Sequence, residues 1–516
     1  MNLNKKLAVA VSGAVLLMAG QFALADSATD IVDALVSKGV LTEEEGKLIT
    51  KGHTSKVSVT PVVKEKDGAF TLESASGRNS ISLTGRMNLD YRYHDAYDNG
   101  VGDDRDTASM ADQFELRRAR LGVKGKFAND FKYEVVGNLP GTATIDVAFL
   151  DWAKYDKVQF RAGKFKQPFG LEQLTSSNNI ALMERSYVDQ TVPAKKLGFQ
   201  VMGTPTTGLT YALSAFQPRD TELDISGGDR ASGAARGTIN FAEIMGNKEM
   251  IMHVGLSGLN QSQSVSSSSS SQTDVAASGT NRATISAFRT SSRGLNNVFR
   301  GQIASTSCGT SSYACVGEYS AQVEQQAFGL EGILASGPFK LAGEYSQSAY
   351  KASANNHGNQ GNPNVVRYDT ATYYVEAGWF ITGEKYASSY KNGVFSSFKP
   401  TNDFDLDKGN WGAIEALFRA EAFNVYGVDM VGSTNNRVQG SLSDLTAGVA
   451  NSSNGMVSGA KTYTGGIRWI LNPNVVLKAN YAYTKFDYPF APLDVAGATA
   501  IVDNEKSLTF RTQFMF

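Results

Sequence analysis

The sequence predicts a transmembrane antiparallel β-barrel of about 16 strands, preceded by a short N-terminal helical segment. Three observations carry that expectation. The chain opens with an export signal, it alternates with period two from Ile81 onward, and its strands are joined by alternately short and long connections.

Lys5 and Lys6, the apolar run Leu7 to Leu17, and Ala23-Leu24-Ala25 before Asp26 are the charged, hydrophobic and cleavage regions of a secretory signal peptide, residues 1–25. The apolar run is too short to span a membrane, and no later segment approaches the ~20 apolar residues of a spanning helix. Cleavage removes two lysines and no acid, leaving 47 basic against 50 acidic side chains. That balance, with export, excludes a globally basic nucleic-acid binder.

Residues 26–78 are expected to be a periplasmic helical segment and linker. Ile31, Leu35 and Val36 recur at helical spacing, and Thr42 with Glu45 three residues on forms a capping box for a second short helix. A helical hairpin and a trimerising stalk both fit this stretch. Residues 55–78 are polar and mixed, as a linker would be.

The barrel occupies residues 79–516. In ISLTGRMNLDYRYH, Ile81, Leu83, Met87, Leu89, Tyr91 and Tyr93 share one face, while Arg86, Asn88, Asp90 and Arg92 share the other. FELRRARLGVKGKF divides the same way, Leu121, Val123 and Phe127 against Arg118, Arg120, Lys124 and Lys126. Short turns fall at Ala128–Asp130, Asp156-Lys157, Pro205–Thr207, Gly246-Asn247, Ser336–Pro338 and Asn472–Asn474. Long polar loops fall near 95–112, 167–196, 217–234, 260–323, 351–369, 430–460 and 487–505. Residues 383–410 make an unusually long connection on the turn side. An open sheet this large would leave two edges and an exposed apolar face, and closure removes both. Leu508, Phe510, Phe514 and Phe516 put aromatic residues on one face of the final strand.

With the apolar face toward lipid, eleven basic side chains point inward: Arg86, Arg92, Arg118, Arg120, Lys124, Lys126, Lys132, Arg419, Arg468, Lys478 and Arg511. Five acids accompany them: Asp90, Glu134, Glu376, Glu415 and Glu421. A basic, narrow passage lowers the barrier for anions and raises it for cations. The alternative on the residues alone is that these charges pair and merely order the lumen. Catalysis and cofactor binding have no support. The four histidines, His53, His94, His253 and His357, are scattered, and no nucleophile elbow, zinc-binding helix motif or glycine-rich phosphate loop occurs. Cys308 and Cys315, in CGTSSYAC, lack nearby histidines and make a poor metal site; in an oxidising compartment they read as a local disulfide.

Several blocks resemble the phosphate-selective porin O and P family. They are FELRRARLGVKGKFANDFKYEVVGNL, VQFRAGKFKQPFGLEQLTSSNNIALMERSYV followed by LGFQV, WFITGEKYASSYKNGVFSSFKP, GGIRWILNPNVVLKANYAYTKFD and FRTQFMF. The resemblance covers residues 81–516. It implies a homotrimeric outer-membrane porin of 16 strands whose third long loop folds inward, with wall arginines leading anions toward a lysine-lined constriction. By motif, Arg117, Arg118 and Arg120 fit the arginine strand, and Arg161, Lys164 and Lys166 enter the constriction. The expected anion path is therefore Arg86, Arg117, Arg118, Arg120, Lys124, Arg161, Lys164, Lys166, Arg468 and Arg511. The expected partners are phosphate or other small oxyanions and outer-membrane lipid, with no cofactor, metal or nucleic acid. A weakly selective channel for small polar solutes, and a structural or adhesive barrel presenting the 260–323 loop, stay open as alternatives.

Six residues separate Cys308 from Cys315, enough to close a small loop. Quantitative thiol labelling of the unreduced, denatured protein is expected to find no free thiol. Replacing both by serine should leave barrel stability and conductance unchanged.

Overall fold

The computed structural model describes residues 32, 34–49, 60–66, 69–95, 113–218, 230–267, 282–295, 298–304, 319–354, 364–431, 457–490 and 502–516. The expected signal peptide and the Cys308–Cys315 pair lie outside the described residues. The chain divides into two compact units.

The first unit takes in residues up to Glu65, Phe70–Ile81 and Lys126–Asn129. Residues 43–49 are helical, and the capping box closes as the spacing predicts. Glu45 Oε2 accepts from the Thr42 amide at 2.9 Å, and Thr42 Oγ1 accepts from the Glu45 amide at 3.2 Å. Those bonds hold the exposed Glu45 carboxyl below its ordinary range, the Thr42 amide contributing most. The stretch expected to be a plain linker carries two short strands instead, β1 (Val62–Lys66) and β2 (Ala69–Glu73). They pair and are bridged by Lys64 Nζ and Glu73 Oε1 at 3.0 Å.

The second unit is a closed barrel of sixteen antiparallel strands. The first half of the wall is β3 (Ser80–Asp95), β4 (Gln113–Phe127), β5 (Phe131–Asn138), β6 (Thr144–Tyr155), β7 (Val158–Lys166), β8 (Lys195–Thr206), β9 (Leu209–Phe216) and β10 (Arg230–Asn240). The sheet continues with β11 (Met250–Ser267). A separate hairpin, β12 (Arg282–Phe288) and β13 (Phe299–Ala304), interrupts the wall before β14 (Tyr319–Ser336), β15 (Phe339–Ala354) and β16 (Asn364–Phe380). A second small hairpin, β17 (Tyr390–Lys391) and β18 (Val394–Phe395), precedes β19 (Ala413–Val431), β20 (Gly459–Asn472), β21 (Val475–Phe490) and β22 (Val502–Met515). Closure is by β22 on β3, in register from Lys506 opposite Asp95 to Met515 opposite Arg86.

The wall is inside-out relative to a soluble sheet, as a bilayer solvent demands. On β3, Met87 and Leu89 are more than 40 % exposed, whereas Asn88, Asp90 and Arg92 are buried. On β22, Leu508, Phe510 and Phe514 face out while Thr509, Arg511 and Gln513 face in. Alternation fails in one informative place. Phe114 and Leu116 are exposed at even positions of β4, but Leu121 and Phe127 are exposed at odd ones. Between them the exposed parity changes, and Arg117 and Arg118 both reach the lumen.

Two predicted loops contain more structure than their composition suggests. Within the 260–323 region β11 continues to Ser267 and β14 begins at Tyr319, and the β12–β13 hairpin lies between them in sequence. Ile285, Phe288, Val298, Phe299 and Ile303 of that hairpin are buried with Tyr187, Tyr350, Tyr368, Phe423 and Phe490. The other is the 381–412 connection, whose Tyr386 and Phe398 are buried against Phe380.

Because β4 carries Leu121 outward, Leu121→Arg should destabilise the folded barrel by about 2–4 kcal/mol if the residue sits near the bilayer midplane. Reversible unfolding in lipid vesicles checks this, and Arg120→Leu in the opposite face should show no comparable loss.

Candidate functional site: a basic passage beside an inward-folded loop

The connection from β7 to β8, residues 167–194, lies inside the barrel. Phe169, Leu182 and Tyr187 are essentially fully buried. A loop buried in this way must satisfy its backbone, and the wall does so with charged side chains. Lys478 Nζ donates to the carbonyls of Ile180 at 2.7 Å and Leu182 at 3.2 Å. Arg468 Nη1 donates to Asn179 O at 3.3 Å, and Gln513 Nε2 to Asn178 O at 3.1 Å. At the start of the short helix Leu171–Leu174, the Glu344 carboxylate accepts from the Leu171 amide at 2.8 Å and the Glu172 amide at 2.6 Å. Glu172 in turn receives Arg419 Nη1 at 3.1 Å, and Glu421 receives the Tyr187 amide at 2.9 Å.

The densest anchor is Glu184. Its carboxylate accepts from Arg92 at 2.7 Å, Arg117 at 3.1 Å and Arg511 at 3.0 Å. Asp90 completes the cluster, taking Arg511 Nε at 2.6 Å and Nη2 at 2.7 Å and also bonding Arg92. Burial alone would raise the Glu184 carboxyl; Arg117, Arg511, Arg118 and Arg92 outweigh it and hold the group well below its ordinary range.

The loop thus leans on β19–β22 and the closing seam, and open space remains on the other side. That space is a cavity of about 740 Å³. Among the described residues, ten basic side chains line it: Arg86, Arg117, Arg118, Arg120, Arg161, Lys164, Lys166, Arg185, Lys195 and Arg236. Of the described lining residues only Glu134, Asp146 and Asp189 are acidic.

Seven of the ten residues expected in the anion path are in this lining: Arg86, Arg117, Arg118, Arg120, Arg161, Lys164 and Lys166. Arg468 and Arg511 lie under the loop instead, ion-paired to Glu415 and to Asp90 with Glu184 respectively. Lys124 is exposed nearer the turn end of β4 and does not line the cavity. Within the lining the groups differ in how fully they are engaged. Arg161 is held bidentately by Asp151 at 2.7 and 2.8 Å, with its guanidinium 3.9 Å above the Phe149 ring. Arg120 meets Asp146 at 2.8 Å, and Lys195 shares that carboxylate. Lys166 donates to the carbonyls of Gln173, Leu174 and Thr175. Arg86 bonds neutral groups, Ser177 Oγ at 2.6 Å and Asn178 Oδ1 at 3.0 Å. Arg118 Nη1 has no hydrogen-bond partner among the described residues.

A search against protein-family models matches the phosphate-selective porin O and P family over residues 81–516. The chain belongs to that family. It is an outer-membrane porin. Porin O of Pseudomonas aeruginosa is 24 % identical over 443 residues, 83 % of this chain and 87 % of that protein. Among solved structures, the outer-membrane channel DcaP of Acinetobacter baumannii aligns with a TM-score of 0.44 at 12 % identity, over 86 % of this chain and 99 % of that one. An anion-selective porin from Comamonas acidovorans aligns with a TM-score of 0.42 at 11 % identity, over 85 % of this chain and all of that one.

Three lining groups of the porin escaped the sequence reading: Arg185, Lys195 and Arg236. Arg236 was legible, since it stands on the inward parity of ASGAARGTIN with Ala234 and Thr238. Arg185 was not. The near-balanced charges of the 167–196 loop sort only on folding, Glu172 and Glu184 toward the wall and Arg185 toward the cavity.

Glu184→Gln should free the loop. Removing one partner of a buried ion cluster costs roughly 3–5 kcal/mol. Limited trypsinolysis of the detergent-solubilised porin should then cut after Arg185, with the barrel intact, where the unaltered protein resists.

Proposed function

We propose that the porin conducts small anions, phosphate and related oxyanions foremost, along the basic arc formed by β3–β8 and Arg185. The observation that carries this reading is the ten-to-three excess of basic over acidic side chains around the cavity among the described residues. Arg118 and Arg86, which have no carboxylate at salt-bridge distance among the described residues, are its strongest attractors. A planar guanidinium suits an oxyanion because it donates two parallel hydrogen bonds. Arg468 and Arg511 act on the path indirectly, by holding the loop, and Arg120, Arg161 and Lys195 add a field that nearby acids partly offset. That offset favours graded preference over absolute selectivity, since a fully uncompensated arginine row would hold an anion too long for it to leave.

In this reading the chain passes solutes by diffusion and performs no chemistry. It assembles as a homotrimer in outer-membrane lipid after removal of residues 1–25, with residues 26–78 on the periplasmic side. Cross-linking and light scattering in detergent test the trimer.

Reversal potential in planar bilayers under a gradient of dilute potassium chloride tests the selectivity. Anion sign is expected, and cation sign would sink the proposal. Low salt is needed because the Debye length falls to ~3 Å near 1 M. Arg118→Ala combined with Arg120→Ala should fold and assemble normally. At on the order of 1 kcal/mol per arginine, the pair should weaken phosphate block of chloride current about tenfold or more.

A further inference from the structure

The connection between β16 and β19 belongs to the short-turn rim, yet it holds residues 381–412. It runs back into the barrel and ends its excursion in the β17–β18 hairpin, whose two-residue tip is Asn392-Gly393. Both tip residues have positive φ, 50° and 78°, which a two-residue hairpin of this twist requires and which Asn-Gly supplies at low cost.

The tip does not hang free. Arg236 of β10 donates through Nη2 to Gly393 O at 2.7 Å. A side chain at Gly393 would run into Thr238 Oγ1, so the tip is pressed against the wall. Glu331 of β14 holds the same arginine, accepting Nε at 3.1 Å and bonding Nη2 as well. Glu331 also accepts from His253 Nε2 of β11 at 2.8 Å. With that ring proton committed, His253 Nδ1 is the acceptor for the Tyr390 hydroxyl, 2.7 Å away at the base of the hairpin. Four side chains from three wall strands and the hairpin form one chain of bonds. Arg236, Asn392 and Val394 line the cavity, so the chain ends in the passage wall.

We propose that the Asn392-Gly393 tip is a second element of the passage, on its turn-side end, and that His253 is the positioning residue that sets where the tip stands. Small anions leaving the basic arc pass between this tip and the opposite wall. The inference rests on the passage described above. Conductance and reversal potential of the unaltered porin test that passage in the same bilayers, so failure of the tip arm is distinguishable from failure of the anion reading.

The test uses full-length porin with Cys308→Ser and Cys315→Ser, to which Asn392→Cys is added. A thiosulfonate reagent carrying a sulfonate group is applied, and labelling is followed by mass spectrometry. A narrow, charged constriction is sensitive to one added anion, so single-channel chloride conductance should fall about twofold or more on complete labelling. Unchanged conductance after complete labelling, or no reaction at this cysteine while the unfolded protein reacts, would overturn the assignment of the tip.

His253 is tested through bonding capacity. His253→Gln retains an acceptor for Tyr390 and a donor for Glu331, whereas His253→Leu and Tyr390→Phe each break the link. The two breaking variants should raise conductance and lower the anion-to-cation permeability ratio, with His253→Gln near the unaltered porin. All three behaving like the unaltered porin would remove His253 from the positioning role. Should the breaking variants fail to assemble, the Asn392 labelling still decides the tip.

Discussion

A buried carboxylate on a loop, facing three guanidiniums from the barrel wall, is the interaction on which the arrangement of this porin depends. Arg92, Arg117 and Arg511 are inside the barrel and would be costly there without a counter-charge. Glu184 supplies it from the loop, and Asp90 supplies it from the wall. The dependence is mutual. The loop cannot lie in the lumen without donors for its carbonyls, and Lys478, Arg468 and Arg511 provide them.

That exchange divides the lumen into two halves with different chemistry. Under the loop, basic side chains are consumed by carbonyls and carboxylates, and only a small pocket of about 40 Å³ is left. Across from it, the cavity keeps a surplus of positive charge that its few acids do not cancel. Counting inward charges therefore overstates what a passing ion would feel from β19–β22 and understates what it would feel from β6–β10. Asp146 and Asp151 stand inside the basic half, so the field is tempered where it is strongest.

The fold was legible because the bilayer imposes the simplest of rules on a strand: apolar out, polar in, every second residue. Strand count and most inward charges follow from that rule. The rule fails along β4, where the exposed positions change parity and Arg117 and Arg118 both reach the lumen. It is also silent about loops. Composition marked 260–323 as polar, yet the few apolar residues of RATISAF and VFRGQIA suffice to bury a hairpin against wall aromatics. The partners of Glu184 are 67, 92 and 327 residues away in sequence, beyond the reach of any local pattern. YKNGVF carried a readable turn signal, but not the strand it would touch.

The placement of the Glu184 cluster also orders events during assembly. Arg92 and Arg117 belong to one edge of the unclosed sheet, and Arg511 to the other, 421 residues from its partner Asp90. Contacts that distant form late, because the loop entropy must be spent before they return anything. Until β22 meets β3 the loop has only part of its binding site, and its polar backbone is better left in water. Docking of the loop is therefore a consequence of closure rather than a step toward it. An unclosed barrel should be recognisable as one whose channel has not yet been narrowed.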